Sequence, residues 1–213
     1  MKDPYRLSLK EEIGNSISHG VMWLIILILL PTFAVRSYIL GSFKYAIGIS
    51  VYLICMFFMY MGSMLYHISP YQTTHKYIFR KLDHIMILLA IAGTYTPICL
   101  CVLPIRVGLP VLILEWGLAV AGIVLKAVSV YSYPKLSMAI YMLMGWLAVF
   151  TFPILLEHCS FWFLFLIVLG GLFYTIGAFF YAHPEKSFFH FIWHCFIILA
   201  SVCHFIAIAF FIY

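Results

Sequence analysis

Seven long apolar runs constrain this chain more than any other feature of its sequence. They lie at approximately 17–39, 44–68, 83–103, 108–131, 136–156, 161–182 and 188–211. A run of about 20 apolar residues is long enough to cross the hydrocarbon core of a bilayer as a helix. Only 9% of the residues are charged and 66% are hydrophobic, which a soluble globular protein would not tolerate. The sequence therefore predicts an all-α, polytopic membrane protein with seven transmembrane helices.

The connections between the runs are short, so the sequence predicts one domain. We expect residues 1–213 to form a single seven-helix transmembrane domain that begins with a short polar cytoplasmic tail at residues 1–16. The net charge of +5 is spread over several connections, which is typical of charges that set membrane topology. We therefore expect no nucleic-acid partner, and the sequence leaves the oligomeric state open.

Orientation follows from the distribution of Lys and Arg. The tail and the 2–3, 4–5 and 6–7 connections hold eight basic residues, namely Lys2, Arg6, Lys10, Lys76, Arg80, Lys81, Lys135 and Lys186. The opposite side holds three, namely Arg36, Lys44 and Arg106. Basic residues accumulate in cytoplasmic connections. The sequence thus predicts a multi-pass protein of the plasma membrane with its N-terminus in the cytoplasm and its C-terminus outside.

Polar side chains inside the apolar runs gather at one depth. In the seventh run, His190 and His194 lie one turn apart on the same face of the predicted helix. The second run ends with Ser63 and His67 at the same spacing. Further polar residues at this depth are Asp83, at the start of the third run, and Glu12, Asn15 and His19, on one face at the start of the first. Under the predicted topology, all of them lie near the cytoplasmic face.

This gathering of imidazoles suggests a metal site. His67, His190 and His194 supply three nitrogens from two helices, which leaves the fourth position of a tetrahedral zinc ion for water. Zinc lowers the pKa of a bound water to about 7, so hydroxide becomes available at neutral pH. Asp83 is then the expected base or orienting group for that water, and Ser63 the expected donor to a developing oxyanion. Glu12, Asn15 and His19 are expected to support the ligands from behind, with Glu12 nearest the membrane surface.

The competing interpretation is that these residues are hydrogen-bonding groups that only hold the helices together. An uncompensated Asp at mid-membrane costs about 2.5–3.5 kcal/mol, whereas one interhelical hydrogen bond contributes about 0.6–2 kcal/mol. Several such residues at one depth are therefore better explained by a bound cation. His204 fits the hydrogen-bonding interpretation instead, because it lies about 15 Å beyond His194 along the helix and cannot reach the same ion.

At these residues the chain resembles a known family. Four segments are similar to motifs of the hemolysin III family, the bacterial branch of the progestin and adipoQ receptor (adiponectin receptor-like) family: Glu11–Gly20, Ser63–His67, Arg80–His84 and His190–His194. The resemblance implies a seven-helix fold and a zinc site near the inner face. It implies that His67, His190 and His194 bind the zinc and that Asp83 contacts the zinc-bound water, with Ser63 nearby. Related alkaline ceramidases use similar residues to hydrolyse a lipid amide.

The leading prediction is an integral membrane, zinc-dependent hydrolase that cleaves an amide or ester in a membrane lipid or lipid-like substrate, with zinc-activated water at the cytoplasmic leaflet. One alternative is a non-enzymatic membrane homeostasis sensor or receptor-like protein in which the zinc is structural. The other is a pore-forming cytolysin. A pore needs a polar stripe across the whole bilayer, whereas polarity in this sequence is confined mainly to one leaflet, which counts against the cytolysin.

Overall fold

The structure, a computed structural model, describes residues 6–128 and 134–212, and within these ranges all regular secondary structure is helical. The helices are α1 (Leu9–Leu40), α2 (Phe43–Ile68), α3 (Thr74–Cys101), α4 (Ile105–Val128), α5 (Pro134–Trp146), α6 (Ala148–His158), α7 (Phe161–Tyr181) and α8 (Phe189–Phe211). Seven segments are long and apolar enough to cross a membrane, with α5 and α6 together forming the fifth, Leu136–His158. The predicted all-α fold with seven transmembrane helices is confirmed.

Two helices, α1 and α3, begin eight and nine residues before the apolar runs that predicted them. The helix α1 begins at Leu9 because Ser8 and Glu11 form a capping box, each bonding the backbone N–H of the other. The helix α3 begins at Thr74, where the side chain of Thr73 caps it. Residues 9–16 are therefore helical and not an irregular tail. An apolar run marks only the part of a helix that lies in hydrocarbon, so it does not include polar first turns.

The fifth span is interrupted six residues before Pro153, the residue at which the sequence predicts a kink or break in this span. The helices α5 and α6 meet at Leu147, in the middle of a run that is apolar throughout. The hydroxyl of Tyr95 on α3 accepts a hydrogen bond from the Ala148 N–H at 2.6 Å and donates to the Met144 carbonyl at 2.9 Å. A broken helix is tolerated within a membrane when a neighbour satisfies the freed backbone groups. Tyr95 does so here.

Small residues bring neighbouring helices into close contact. A Cβ atom on Gly93 of α3 would lie only 2.6 Å from the Cβ atom of Cys55 on α2. A Cβ atom on Gly177 of α7 would lie 2.7 Å from the ring of Trp193 on α8. Glycine lets membrane helices approach until their backbones pack against the neighbouring side chains. The two approaches fix the α2–α3 and α7–α8 pairs, and α1 lies between α2 and α8.

Four helix ends meet at one end of the bundle. The first turns of α1 contact the last turn of α2, the first turn of α3 and the start of α8 through side chains of Glu11 and Glu12. This arrangement agrees with the prediction that the tail and the 2–3 and 6–7 connections share one side. It also brings polar residues from four helices to the same depth.

Candidate metal centre

Three histidines from two helices converge at this end of the bundle. His67 on α2 and His190 and His194 on α8 each offer a ring nitrogen, and these nitrogens all lie within 4.8 Å of one another. The Nε2 atoms of His190 and His194 are 3.2 Å apart. His67 and His194 are buried, at 3% and 2% exposure. The structure thus brings together the three residues that the helical spacing singled out.

The spacing of these nitrogens fits a metal ion. Two nitrogens bound to one tetrahedral zinc at about 2.0–2.1 Å lie about 3.3 Å from each other. The observed 3.2 Å between the Nε2 atoms of His190 and His194 is close to this value. A neutral histidine pair that shares one hydrogen bond would have the same separation, so this distance alone does not decide the matter. The surroundings of the third histidine, His67, add a further observation.

Glu12 fixes the tautomer of His67. Its Oε2 atom lies 2.6 Å from Nδ1 of His67, and its Oε1 atom accepts a hydrogen bond from Nζ of Lys76 at 2.7 Å. Because a carboxylate oxygen only accepts, Nδ1 of His67 carries the N–H of this contact, and in the neutral tautomer the lone pair is on Nε2. This Nε2 atom is buried and has no hydrogen-bond partner. A carboxylate behind the far nitrogen of a ligand histidine is typical of metal centres.

Lys76 is part of the site, although its sequence position suggested only a topology-setting charge in a connection. Its side chain is buried, with the residue 2% exposed, and its Nζ atom lies 4.4 Å from the ring centroids of both Tyr66 and Tyr71. Two aromatic faces and one carboxylate compensate the buried ammonium group. No spacing along the chain connects Lys76 to Glu12, which precedes it by 64 residues. Sequence reasoning therefore had no signal for this pair.

Asn15 and His19 lie against the histidines, as the sequence suggested. The Nδ2 atom of Asn15 is 3.5 Å from Nδ1 of His67, beside the shorter contact to Glu12. The ring of His19 stacks on that of His194 with centroids 4.0 Å apart, and the edge of Tyr60 closes its other side at 4.9 Å. Both ring nitrogens of His19 are buried without a hydrogen-bond partner. Both residues therefore lie beside the histidine cluster, and their supporting role stays a prediction.

Asp83 and Ser63 lie on the facing helices α3 and α2. The Cα atom of Asp83 is 3.7 Å from the position that a Cβ atom on Gly62 would take, and Gly62 immediately precedes Ser63. Ser63 is buried, one turn before His67. The side chain of Asp83 is 16% exposed, and its carboxylate lies 3.9 Å from Nδ1 of His84. The structure thus places Ser63 one turn before His67 and the backbone of Asp83 opposite Gly62, and the roles of both residues in catalysis stay predictions.

A second polar pair beside the cluster was missed by the sequence analysis. Nδ1 of His84 lies 2.7 Å from the Arg80 carbonyl, so it carries the proton, and Nε2 accepts from the Tyr181 hydroxyl at 3.1 Å. The ring centroid of Tyr181 lies 6.1 Å from that of His190. His84 follows Asp83 directly, so its helical position was a usable signal. Tyr181 offered none, because a tyrosine at the end of a membrane helix is ordinary.

An apolar cavity of about 210 Å³ lies among α3, α5, α6, α7 and α8. Trp193, the neighbour of His194 in the chain, lines it at one end, and His204 lines it further along α8. Other lining residues include Ile91, Leu155, Tyr174 and Ile197. An apolar space of this kind suits a hydrocarbon chain.

Comparison with known proteins agrees with the motifs. The family described as haemolysin-III related matches residues 7–205. Hemolysin-3 of Bacillus cereus is 34% identical over 203 residues, which cover 95% of this chain and 92% of that protein. The hemolysin-3 homolog of Bacillus subtilis (strain 168) is 33% identical over 204 residues, which cover 96% of this chain and 95% of that protein. The chain is a multi-pass membrane protein of the plasma membrane, and it belongs to the hemolysin III family.

Proposed function

We propose that this protein is a zinc-dependent membrane hydrolase that cleaves an amide or ester bond in a lipid-like substrate. One observation carries the proposal. Nε2 of His67 is buried and has no hydrogen-bond partner, Glu12 contacts the other ring nitrogen, and ring nitrogens of His190 and His194 lie within 4.8 Å. His190 and His194 can share one proton at 3.2 Å, but Nε2 of His67 has no hydrogen-bond partner, and a bound cation would compensate all three nitrogens. Three nitrogen ligands with an open fourth position are the pattern of catalytic zinc.

The residues around the cluster supply the rest of the chemistry. A bound zinc ion would supply Lewis acidity and an acidified water at neutral pH. His67, His190 and His194 would hold it, and Glu12 would keep His67 in the tautomer that binds. Asp83 would accept the proton of the attacking water, and Ser63 would donate a hydrogen bond to the substrate carbonyl oxygen as its charge develops.

The cavity supports a lipid-like substrate. Its wall is formed mainly by aliphatic and aromatic side chains, and it includes Trp193, the chain neighbour of His194, but none of the three clustered histidines. We infer that an acyl chain would occupy this space with its carbonyl group turned toward the histidine end of α8. An amide or ester of a fatty acid is therefore the substrate class that the site supports best.

Two other functions deserve a direct comparison. A sensor with structural zinc would have the same three ligands, and it would differ by having no turnover. A lytic pore is suggested by the name hemolysin that the relatives carry. In the middle of this bundle, however, Tyr60 donates to Ser201 Oγ at 2.8 Å and Tyr174 contacts the same oxygen at 3.2 Å. Among the described residues these hydroxyls bond each other and line no polar path, which counts against a pore, and turnover is what separates the hydrolase from the sensor.

The proposal is tested by zinc content and turnover. Protein purified without chelator should contain about one zinc per chain, and His190→Ala and His194→Ala should each lose it. Wild type should release fatty acid from a ceramide-like amide or from an ester in mixed micelles. Asp83→Asn should keep the zinc and lose about 10²–10⁴-fold in rate, because an amide cannot accept the proton. The exposed Glu157→Gln is the matched control, and it should leave both the zinc content and the rate of fatty-acid release unchanged.

Three results would contradict the proposal or part of it. Wild-type protein that contains no zinc would contradict the proposed metal centre. A full zinc site without turnover on any lipid amide or ester would favour the sensor. Full activity in Asp83→Asn would remove Asp83 from the mechanism.

A further inference from the structure

Glu11 links the first turn of α1 to the start of α8, and the proposed chemistry does not use it. Its Oε1 atom accepts a hydrogen bond from the backbone N–H of Phe188 at 2.6 Å. Its Oε2 atom accepts from the backbone N–H and the hydroxyl of Ser8, at 3.0 and 2.7 Å. Glu11 is only 4% exposed. Both carboxylate oxygens are therefore committed, one to its own helix and one to a residue 177 positions away.

Phe188 has a backbone conformation that is unfavourable for it. Its φ of 62° and ψ of 0° lie in the left-handed region, which glycine enters freely and other residues enter at a cost. Its carbonyl accepts the N–H of Ile192 at 2.9 Å and so starts α8. His190 is the second residue after it. The direction in which α8 leaves this turn thus decides where His190 lies.

The bond from Glu11 is suited to hold such a turn. A carboxylate that accepts from a backbone N–H makes a charge-assisted hydrogen bond, which is shorter and stronger than a neutral one. Without it, Phe188 would lose this acceptor and could relax to negative φ. The first turn of α8 would then rotate, and His190 and His194 would no longer meet His67.

We infer that Glu11 is a positioning residue for the metal centre, which it serves by holding the left-handed turn at Phe188. Two consecutive glutamates then serve the two halves of the site: Glu12 orients His67 on α2, and Glu11 places the start of α8. This inference rests on the proposed metal site. Glu11 touches none of the three histidines, so its effect passes through the backbone of α8.

Zinc affinity of the full-length protein in detergent, measured by competition with a chromogenic chelator, tests the inference. Glu11→Ala should weaken zinc binding by about 10–100-fold, the range found when groups behind metal ligands are removed. Ser8→Ala is the matched control. It removes the hydroxyl that caps α1 and bonds the same carboxylate, but it leaves the bond to Phe188, so zinc affinity should stay close to that of wild type.

A rescue experiment separates positioning from general damage. Glycine adopts a φ of 62° without crowding, so Glu11→Ala/Phe188→Gly should recover about tenfold of the lost affinity. Gln72 is the other non-glycine residue with positive φ among the described residues, at 63°. Glu11→Ala/Gln72→Gly relieves the same kind of strain away from α8 and should recover nothing.

A second readout needs no metal. Lys186 is exposed and lies two residues before Phe188, so trypsin cleavage after it reports how firmly the turn is held. Metal-free Glu11→Ala should be cut faster than wild type and Ser8→Ala. Equal zinc affinity and equal cleavage in wild type and Glu11→Ala would overturn the inference and leave the proposed function intact. A loss of affinity that Phe188→Gly does not recover would overturn it too. Wild type that binds no zinc would overturn the proposed function and, with it, the positioning role.

Discussion

At the scale of single residues, the chemical state of each group in the site is set by the group behind it. His67 directs Nε2 toward the cluster because Glu12 accepts a hydrogen bond from its Nδ1–H. Lys76 in turn balances the charge of the Glu12 carboxylate. This chain of dependence makes Glu12 important to the site, although it is not one of the three clustered histidines. A change at Glu12 affects both the ligand and the buried ammonium group.

We expect Glu12→Gln to have two separable effects. Zinc affinity should fall by about 10–100-fold, because the neutral amide orients His67 less strongly than a carboxylate. Stability should also fall, because breaking a buried ion pair on one side costs about 3–5 kcal/mol. Glu12→Gln/Lys76→Met removes the unpaired charge, so it should restore the thermal unfolding midpoint without restoring zinc affinity. Chelator competition and thermal unfolding in detergent measure the two effects.

The exposed Glu185→Gln, on the 6–7 connection, is the control for loss of one carboxylate near this end of the bundle. It should change neither the zinc affinity nor the thermal unfolding midpoint. If the double variant regained zinc affinity along with stability, Glu12 would act only through the ion pair and not through His67.

At the scale of helices, close approaches hold the elements that carry the ligands. The helix α2, which carries Ser63 and His67, packs on α3 at Gly93, where the Cβ atom of Cys55 leaves no room for a side chain. The interrupted fifth span depends on α3 as well, through the hydroxyl of Tyr95. The helix α3 therefore connects the metal end of the bundle to the cavity wall.

We expect Gly93→Ala to destabilise the protein by about 1–3 kcal/mol, the usual cost of overpacking a tight contact. The new methyl group would lie 2.6 Å from the Cβ atom of Cys55 and 2.8 Å from its Sγ atom, so α2 and α3 would have to separate. Gly117→Ala on α4 is the matched control, because a Cβ atom there has no neighbour within 4 Å. The thermal unfolding midpoint should fall for the first variant only. Equal midpoints would show that the α2–α3 contact is not tight.

At the scale of the whole molecule, the contacts of α1 establish that four helix ends share one side of the bundle. The Lys and Arg distribution predicts that this side is the cytoplasm. Lys76 is buried in an ion pair with Glu12, and the count can be repeated without it. Seven basic residues against three still give the same orientation.

A reporter fusion tests the orientation. A phosphatase that folds only outside the cytoplasm should be active when it is fused after Tyr213, and a fluorescent protein that folds only inside should be active when it is fused before Met1. The charge bias drives this outcome, so reversing it by adding lysines beside Arg106 should weaken the phosphatase signal. The opposite labelling pattern would move the metal centre to the outer leaflet.

The sequence by itself determined the features that depend on neighbours along the chain. Seven apolar runs predicted seven spans, because the length of a run suffices to say that it crosses a bilayer. The pair His190 and His194 was found because residues one turn apart share a helix face. The depth of His67 followed from its place at the end of a run. Each of these inferences needs only the local period of a helix and the thickness of a membrane.

The tertiary structure decided the features that join distant parts of the chain. Lys76 became a partner of Glu12, and Glu11 became a partner of Phe188, only when α1, α3 and α8 packed together. The break at Leu147 is stable only because Tyr95 supplies the missing hydrogen bonds. Such pairings are not periodic, so no spacing in the sequence reports them. They exist because buried polar groups in a membrane must find partners, and the packing of helices determines which partners lie within reach.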